Sequence, residues 1–193
     1  RPVIEVAEAV LAGGAAIIQL RDKTNDRGEV LPIAREIRAL CGKHDALFFM
    51  NDDPSVAFAS EAHGLHVGQS DYPVPEARRI LRPTQLVGRS NNTMVEVADS
   101  VSLGADYVAV GAVFPTATVG KGTRSTVGLE AINQAKDISP HPIVAIGGIN
   151  TSNVAEVIEA GADCVAVISS VTMAEQPETA ARQLADAIES ARS

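Results

Sequence analysis

The chain has 193 residues, 46% hydrophobic and 21% charged, the proportions of one folded domain long enough to close a large core and not of a disordered segment. Its formal net charge is −8 and aromatics make up 3% with no Trp, which argues against a basic groove or base-stacking platform for nucleic acid. Apolar runs of about five to seven residues are far shorter than the roughly 20 a membrane span needs, so no membrane partner is expected.

Helical patterns fall at 2–12, 29–42, 54–60, 75–81, 93–103, 129–138, 151–160 and 177–191, and apolar strand runs at 15–20, 46–50, 64–67, 85–89, 106–111, 142–146 and 163–168. Within that alternation a motif recurs: GADYVAV at 104–110, GADCVAV at 161–167 and a looser GAAIIQL at 14–20. The first two copies lie 57 residues apart, about twice the 30 or so residues of one strand-plus-helix unit. Each copy is a helix-ending Gly followed by an apolar run, which suits a parallel strand buried on both faces. Strict alternation without a dinucleotide-binding glycine fingerprint predicts a single α/β domain over 1–193, a TIM (β/α)8 barrel whose first strand is missing before Pro2. The seam would then run beside strands 15–20 and 163–168. Loop 112–128, rich in Thr and Gly and bearing Lys121 and Arg124, is long enough to serve as a lid. Cys41 and Cys164 lack disulfide or metal-ligand spacing and read as inert thiols of a cytoplasmic protein. The opening at Arg1, without Met or a signal pattern, predicts a longer polypeptide.

Active sites of such barrels lie at the carboxyl ends of the strands, so the strand exits carry the functional reading. Gln19, Arg21 and Lys23 leave the first run and could hold a multiply charged anion, or form a surface cluster neutralised by Asp22. Asn51, Asp52 and Asp53 leave the second; Asp53 before Pro54 suits a helix cap, leaving Asn51 and Asp52 unexplained. Asp71 in GQSD is a turn residue or, with Asp52, one of a carboxylate pair suited to Mg²⁺ bridging a pyrophosphate. Arg89 to Asn92 offer small polar groups that could bind a heterocycle, with Asn92 read as a helix cap. Phe114 to Thr118 lead into the long loop, and Gly147 and Gly148 with Ser169 and Ser170 offer backbone N–H groups and hydroxyls for a phosphate at the last two exits. His44, His63, His66 and His141 have no ligand spacing and read as core or surface residues.

Taken together, QLRDK, Asn51 with Asp52, GQSD, FPTAT, AIGGIN and VISS, in register on successive strand ends, resemble the thiamine-phosphate synthase family over nearly the whole chain. The resemblance implies a pyrophosphate-releasing transferase that joins 4-amino-5-hydroxymethyl-2-methylpyrimidine diphosphate to a thiazole phosphate. It implies that Gln19, Arg21, Lys23 and Asn51 hold the pyrimidine diphosphate, that Asp52 and Asp71 bind Mg²⁺, and that Ser90 contacts the pyrimidine. It places the thiazole phosphate on Thr116, Thr118, Gly148, Ile168 and Ser169. Catalysis by charge neutralisation of departing pyrophosphate would fall to Arg21 and Lys23 beside Mg²⁺. The family's loop Lys usually follows Thr-x-Thr directly; here Val119 and Gly120 intervene, so Lys121 is the candidate for that role. The strand tip reads SNN where a Ser, Thr, His run is usual. The sister TenI-like group, thiazole tautomerases or regulatory proteins on the same barrel, is the alternative, with a catalytically silent binding barrel as another. The implied partners are small phosphorylated molecules, and a homo-oligomer is compatible with the sequence.

Overall fold

The computed structural model describes residues 1–116 and 126–192. Seven parallel strands alternate with helices: α1 (Val3–Ala12), β1 (Ile17–Leu20), α2 (Arg27–Lys43), β2 (Leu47–Asn51), α3 (Pro54–Ala59), β3 (Gly64–Val67), α4 (Val74–Ile80), β4 (Leu86–Asn91), α5 (Met94–Ser102) and β5 (Tyr107–Gly111). After the undescribed stretch come α6 (Glu130–Ile138), β6 (Ile143–Ile146), α7 (Val154–Glu159), β7 (Cys164–Ala166), α8 (Ser169–Thr172) and α9 (Pro177–Arg192). The strands form one sheet in chain order, β1 to β7, with every neighbouring pair parallel. This is the expected barrel architecture lacking its first strand: α1 comes before any strand, and β1 and β7 are the two edges.

Strand alternation sorts the sheet's two faces. Phe48, Leu65, Val67, Val87, Val108, Val110, Ile143 and Ala145 are fully buried and pack outward beneath the helices. Inward residues line the barrel interior, where large and small side chains complement one another across the register. Phe49 is paired with Gly64, and a Cβ at Gly64 would come within 2.3 Å of its ring. Tyr107 is paired with Gly88, where a Cβ would lie 1.9 Å from the ring. The two aromatic rings then meet edge to face, with centroids 5.7 Å apart.

The repeated motif has a physical origin in how the helices end. After α1, α2, α3, α5 and α7 one residue turns left-handed: Gly14, Asp45, Glu61, Gly104 and Gly161, with φ of 94°, 53°, 55°, 83° and 100°. The alanine that follows each, at 15, 46, 62, 105 and 162, returns its N–H to a carbonyl of the last helical turn at 2.9–3.3 Å. The next polar side chain then reaches the start of the preceding strand. Asp106 accepts from the Val87 N–H at 2.6 Å, Asp163 from the Ile143 N–H at 2.8 Å, and His63 Nδ1 from the Phe48 N–H at 2.8 Å. Arg78 of α4 pairs with Asp106, and Lys136 of α6 with Asp163.

Some boundaries differ from the sequence reading. β2 extends to Asn51 and β4 to Asn91, because His66 and Val110 on neighbouring strands continue the ladder. β7 stops at Ala166, opposite Ile146 on its one paired neighbour, and the chain turns at Ser169 into the one-turn helix α8, which the sequence reading lacks. The cap of α5 is Thr93 and not Asn92: Thr93 Oγ1 accepts from the Glu96 N–H at 3.2 Å, and Glu96 returns a bond to the Thr93 N–H. Threonine takes the post because its oxygen reaches the third helical N–H.

Candidate active site

The first three strand exits converge. The Asp22 carboxylate folds back on the Asn25 and Thr24 N–H groups at 3.0 and 2.9 Å. Those bonds hold its carboxyl far below the usual range, and they build the turn that carries Lys23 onto Asp52 across the β1–β2 boundary. Gln19 and Arg21 flank buried Leu20 and are solvent-exposed, alternating to the opposite face. Asn51 is buried at the end of β2. Asp52 follows with φ of 63°, its N–H donating to the His66 carbonyl at 2.8 Å. A non-glycine residue in this region stores strain, which at a strand tip is a mark of function.

Asp53 caps α3 as expected, accepting from the Ser55 and Val56 N–H groups at 2.9 and 3.1 Å, and pairs with Arg27. Asp71 is a turn residue, as one sequence reading had it, and it also lies beside Asp52. Its Oδ2 accepts from the Gly68 N–H at 2.8 Å, and its carboxyl contacts that of Asp52. Burial, with Asp71 beside it, pushes the Asp52 carboxyl up despite Lys23. Burial also acts upward on Asp71, but hydrogen bonds from Asp52 and Gly68 outweigh it and hold Asp71 low. A cleft of about 200 Å³ opens here, bordered by Lys23, Arg27, Asn51, Asp52 and Tyr72. Its cations and carboxylates can hold an anion and a cation side by side.

The interior beside this cleft holds a group the sequence reading missed. His66 Nδ1 lies 2.8 Å from the Tyr107 hydroxyl, and His66 Nε2 lies 2.8 Å from Ser90 Oγ. Burial lowers the His66 pKa to about 4 and drives that of Tyr107 well upward, so both are neutral near pH 7. The His66 and Tyr107 rings are stacked at 24° with centroids 5.7 Å apart. Gln69 fixes the backbone here, donating to the Ser90 carbonyl at 2.7 Å while Arg89 holds its amide oxygen at 2.6 Å. The available signal was inward periodicity: His66 lies two residues after Gly64, the first residue of β3.

On the far side of the barrel, Gly147 and Gly148 both adopt positive φ, 100° and 70°. A Cβ at Gly148 would come within 2.7 Å of Phe114, so the β5 and β6 exits are packed directly together. Thr116 sits there exposed, and Ile168 and Ser169 open α8. Thr118, Lys121 and Arg124, with most of the expected lid, lie outside the described residues. Among the described residues no helix is long and apolar enough to cross a membrane.

Residues 1–171 match the family described as thiamine monophosphate synthase. The chain belongs to this family. A thiamine-phosphate synthase of Moorella thermoacetica is 43% identical over 192 residues, covering all of this chain and 91% of its own length. One from Thermosynechococcus vestitus is 43% identical over 182 residues, 94% of this chain; the chain spans about half (51%) of that longer relative. Among solved structures, the thiamine phosphate pyrophosphorylase of Pyrococcus furiosus superposes with a TM-score of 0.93 at 36% identity, over 100% of this chain and 92% of that one. The thiamine monophosphate synthase family is thus matched along the same strand exits from which the cleft is built.

Proposed function

We propose that this chain is a cytoplasmic thiamine-phosphate synthase, joining 4-amino-5-hydroxymethyl-2-methylpyrimidine diphosphate to a thiazole phosphate and releasing pyrophosphate. The observation that carries this reading is the meeting of Lys23 with Asp52, and of Asp52 with Asp71, where the first three strands end. Gln19, Arg21, Lys23 and Asn51 bind the diphosphate, and Ser90 contacts the pyrimidine. Thr116, Thr118, Gly148, Ile168 and Ser169 hold the thiazole phosphate.

The carboxylate pair fits Mg²⁺. Two carboxyls in contact favour keeping a proton or taking up a cation between them. Among the described residues no cluster of three or more His, Cys, Asp or Glu offers a self-sufficient site, so a metal on Asp52 and Asp71 must complete its shell with water and substrate oxygens, the habit of Mg²⁺. When bound, Mg²⁺ supplies positive charge to the leaving pyrophosphate. Lys23, released from Asp52, and Arg21 supply the rest, so the C–O bond of the pyrimidine diphosphate can ionise and the thiazole nitrogen capture the carbon. This route needs no enzymic nucleophile, and the groups at the cleft match that demand.

The deciding experiment incubates the full-length protein with both substrates and Mg²⁺ and measures thiamine phosphate; no product from a folded sample overturns the proposal. Lys121→Ala is expected to slow turnover roughly tenfold or more, as loss of a charge-assisted phosphate contact should. Wild-type kinetics would remove Lys121 from the machinery.

A further inference from the structure

Ser90, His66 and Tyr107 form a chain of two hydrogen bonds, both 2.8 Å long, with His66 in the middle. With a neutral imidazole the three groups carry one mobile proton each, so two protons are spent within the chain and one is left over at an end. Which end keeps it depends on the tautomer of His66. If Nδ1 carries the proton, Ser90 donates to Nε2, and the leftover proton is the Tyr107 O–H. If Nε2 carries it, Tyr107 donates to Nδ1, His66 donates to Ser90 Oγ, and the leftover proton belongs to Ser90.

Two observations choose the second arrangement. Among the described residues His66 is the hydrogen-bond partner of the half-buried Tyr107 hydroxyl, so a Tyr107 proton turned away from Nδ1 would forgo that partner. The sheet register pairs Tyr107 with Gly88 and Ala109 with Ser90, which puts Ser90 two residues nearer the carboxyl-end mouth. The spare proton therefore belongs at the end nearer the carboxyl-end mouth. A doubly protonated imidazole would donate from both ring nitrogens and leave a spare proton on Ser90 and another on Tyr107.

The surroundings hold this chain in one pose. Gly88 leaves room for the Tyr107 ring, Phe49 packs edge-on against it, and Gln69 pins the Ser90 carbonyl at 2.7 Å. We infer that His66 and Tyr107 are positioning residues that present the Ser90 hydroxyl as a hydrogen-bond donor to a ring-nitrogen acceptor of the heteroaromatic substrate. This role rests on the synthase reading, whereas the proton arrangement does not.

The tautomer is read directly from side-chain ¹⁵N NMR of His66 in the full-length protein, with His66→Gln confirming the assignment. Protonated Nε2 and bare Nδ1 are expected; protonated Nδ1 with bare Nε2 overturns the inference. Kinetics test the function. Tyr107→Phe keeps the ring but removes the proton that selects the tautomer, and should lower kcat/KM about tenfold. Ser90→Ala should cost at least as much, and adding Tyr107→Phe to it should cost nothing further, because Tyr107 acts only through Ser90. Additive losses would make Tyr107 a merely structural residue and sink the positioning role. Absence of turnover in the wild-type protein overturns the synthase reading and the donor role together, while the imidazole spectrum still decides the tautomer.

Discussion

At the scale of single residues, Asp52 concentrates the demands of the site: a left-handed backbone, a paired cation and a second carboxyl in contact. Asp52→Ala removes the charge and relieves none of the backbone strain, because alanine keeps a Cβ. The expected result is loss of Mg²⁺-dependent turnover by about a hundredfold or more with an unchanged circular dichroism spectrum; retained activity would end its assignment as a metal ligand. Gly88 makes a different demand, that of space. Gly88→Ala drives a methyl into the Tyr107 ring, and should destabilise the protein by about 1–3 kcal/mol in denaturant titration, as overpacked cores do. Neither constraint is visible in the composition of the neighbouring sequence. Asp52 was legible as a site residue because capping failed to account for it. Its pairing with Lys23, 29 positions earlier, required the β1 and β2 exits to be placed side by side.

At the scale of elements, one helix-ending turn followed by one strand-pinning side chain accounts for the GAD repeat. Asp45 and Glu61 occupy the turn that Gly14, Gly104 and Gly161 occupy elsewhere, at φ of 53° and 55°. Asp45→Gly should therefore raise stability by up to about 1 kcal/mol in chemical denaturation, the left-handed penalty of a side chain less the extra entropy of glycine. Asp163 represents the second half of the device. Burial acts upward on its carboxyl, but Lys136 and the Ile143 N–H outweigh that and hold its pKa below the ordinary carboxylate value. A lowered folded pKa means that its contribution is complete above the unfolded value near 3.9 and disappears as pH falls through the folded one. Asp163→Ala is expected to cost about 1–2 kcal/mol at neutral pH. The gap from wild type should narrow in urea titrations as pH falls below the unfolded carboxylate value. A constant gap would mean that the side chain acts by packing and not by charge.

At the scale of the whole molecule, β1 and β7 are the two ends of the sheet formed by the described residues. Ile17 on β1 is 43% exposed and β7 is only half-buried, whereas β5 is buried from its second residue onward. Amide exchange in the described chain should therefore be slowest in β3 to β5 and fastest among the strands in β1 and β7, each of which pairs on one side only among the described residues. Equal protection across all seven strands would show that the edges are covered. The order of helices and strands, and the barrel without its first strand, were readable from the chain because periodicity and helix-ending glycines are local signals, set within a few residues. The exits of β1 to β3 stood out in the sequence because Asn51 and Asp52 are polar groups that capping does not explain. Strand ends were not, since Asn51 and Asn91 remain in the sheet only through their partners His66 and Val110. Nor was the Tyr107–His66–Ser90 chain, whose members come from three strands and whose meeting depends on register. Sequence by itself determined which residues stand at the mouth of the barrel; tertiary structure decided which of them touch, because contact across parallel strands is fixed by pairing distant segments and not by any spacing along the chain.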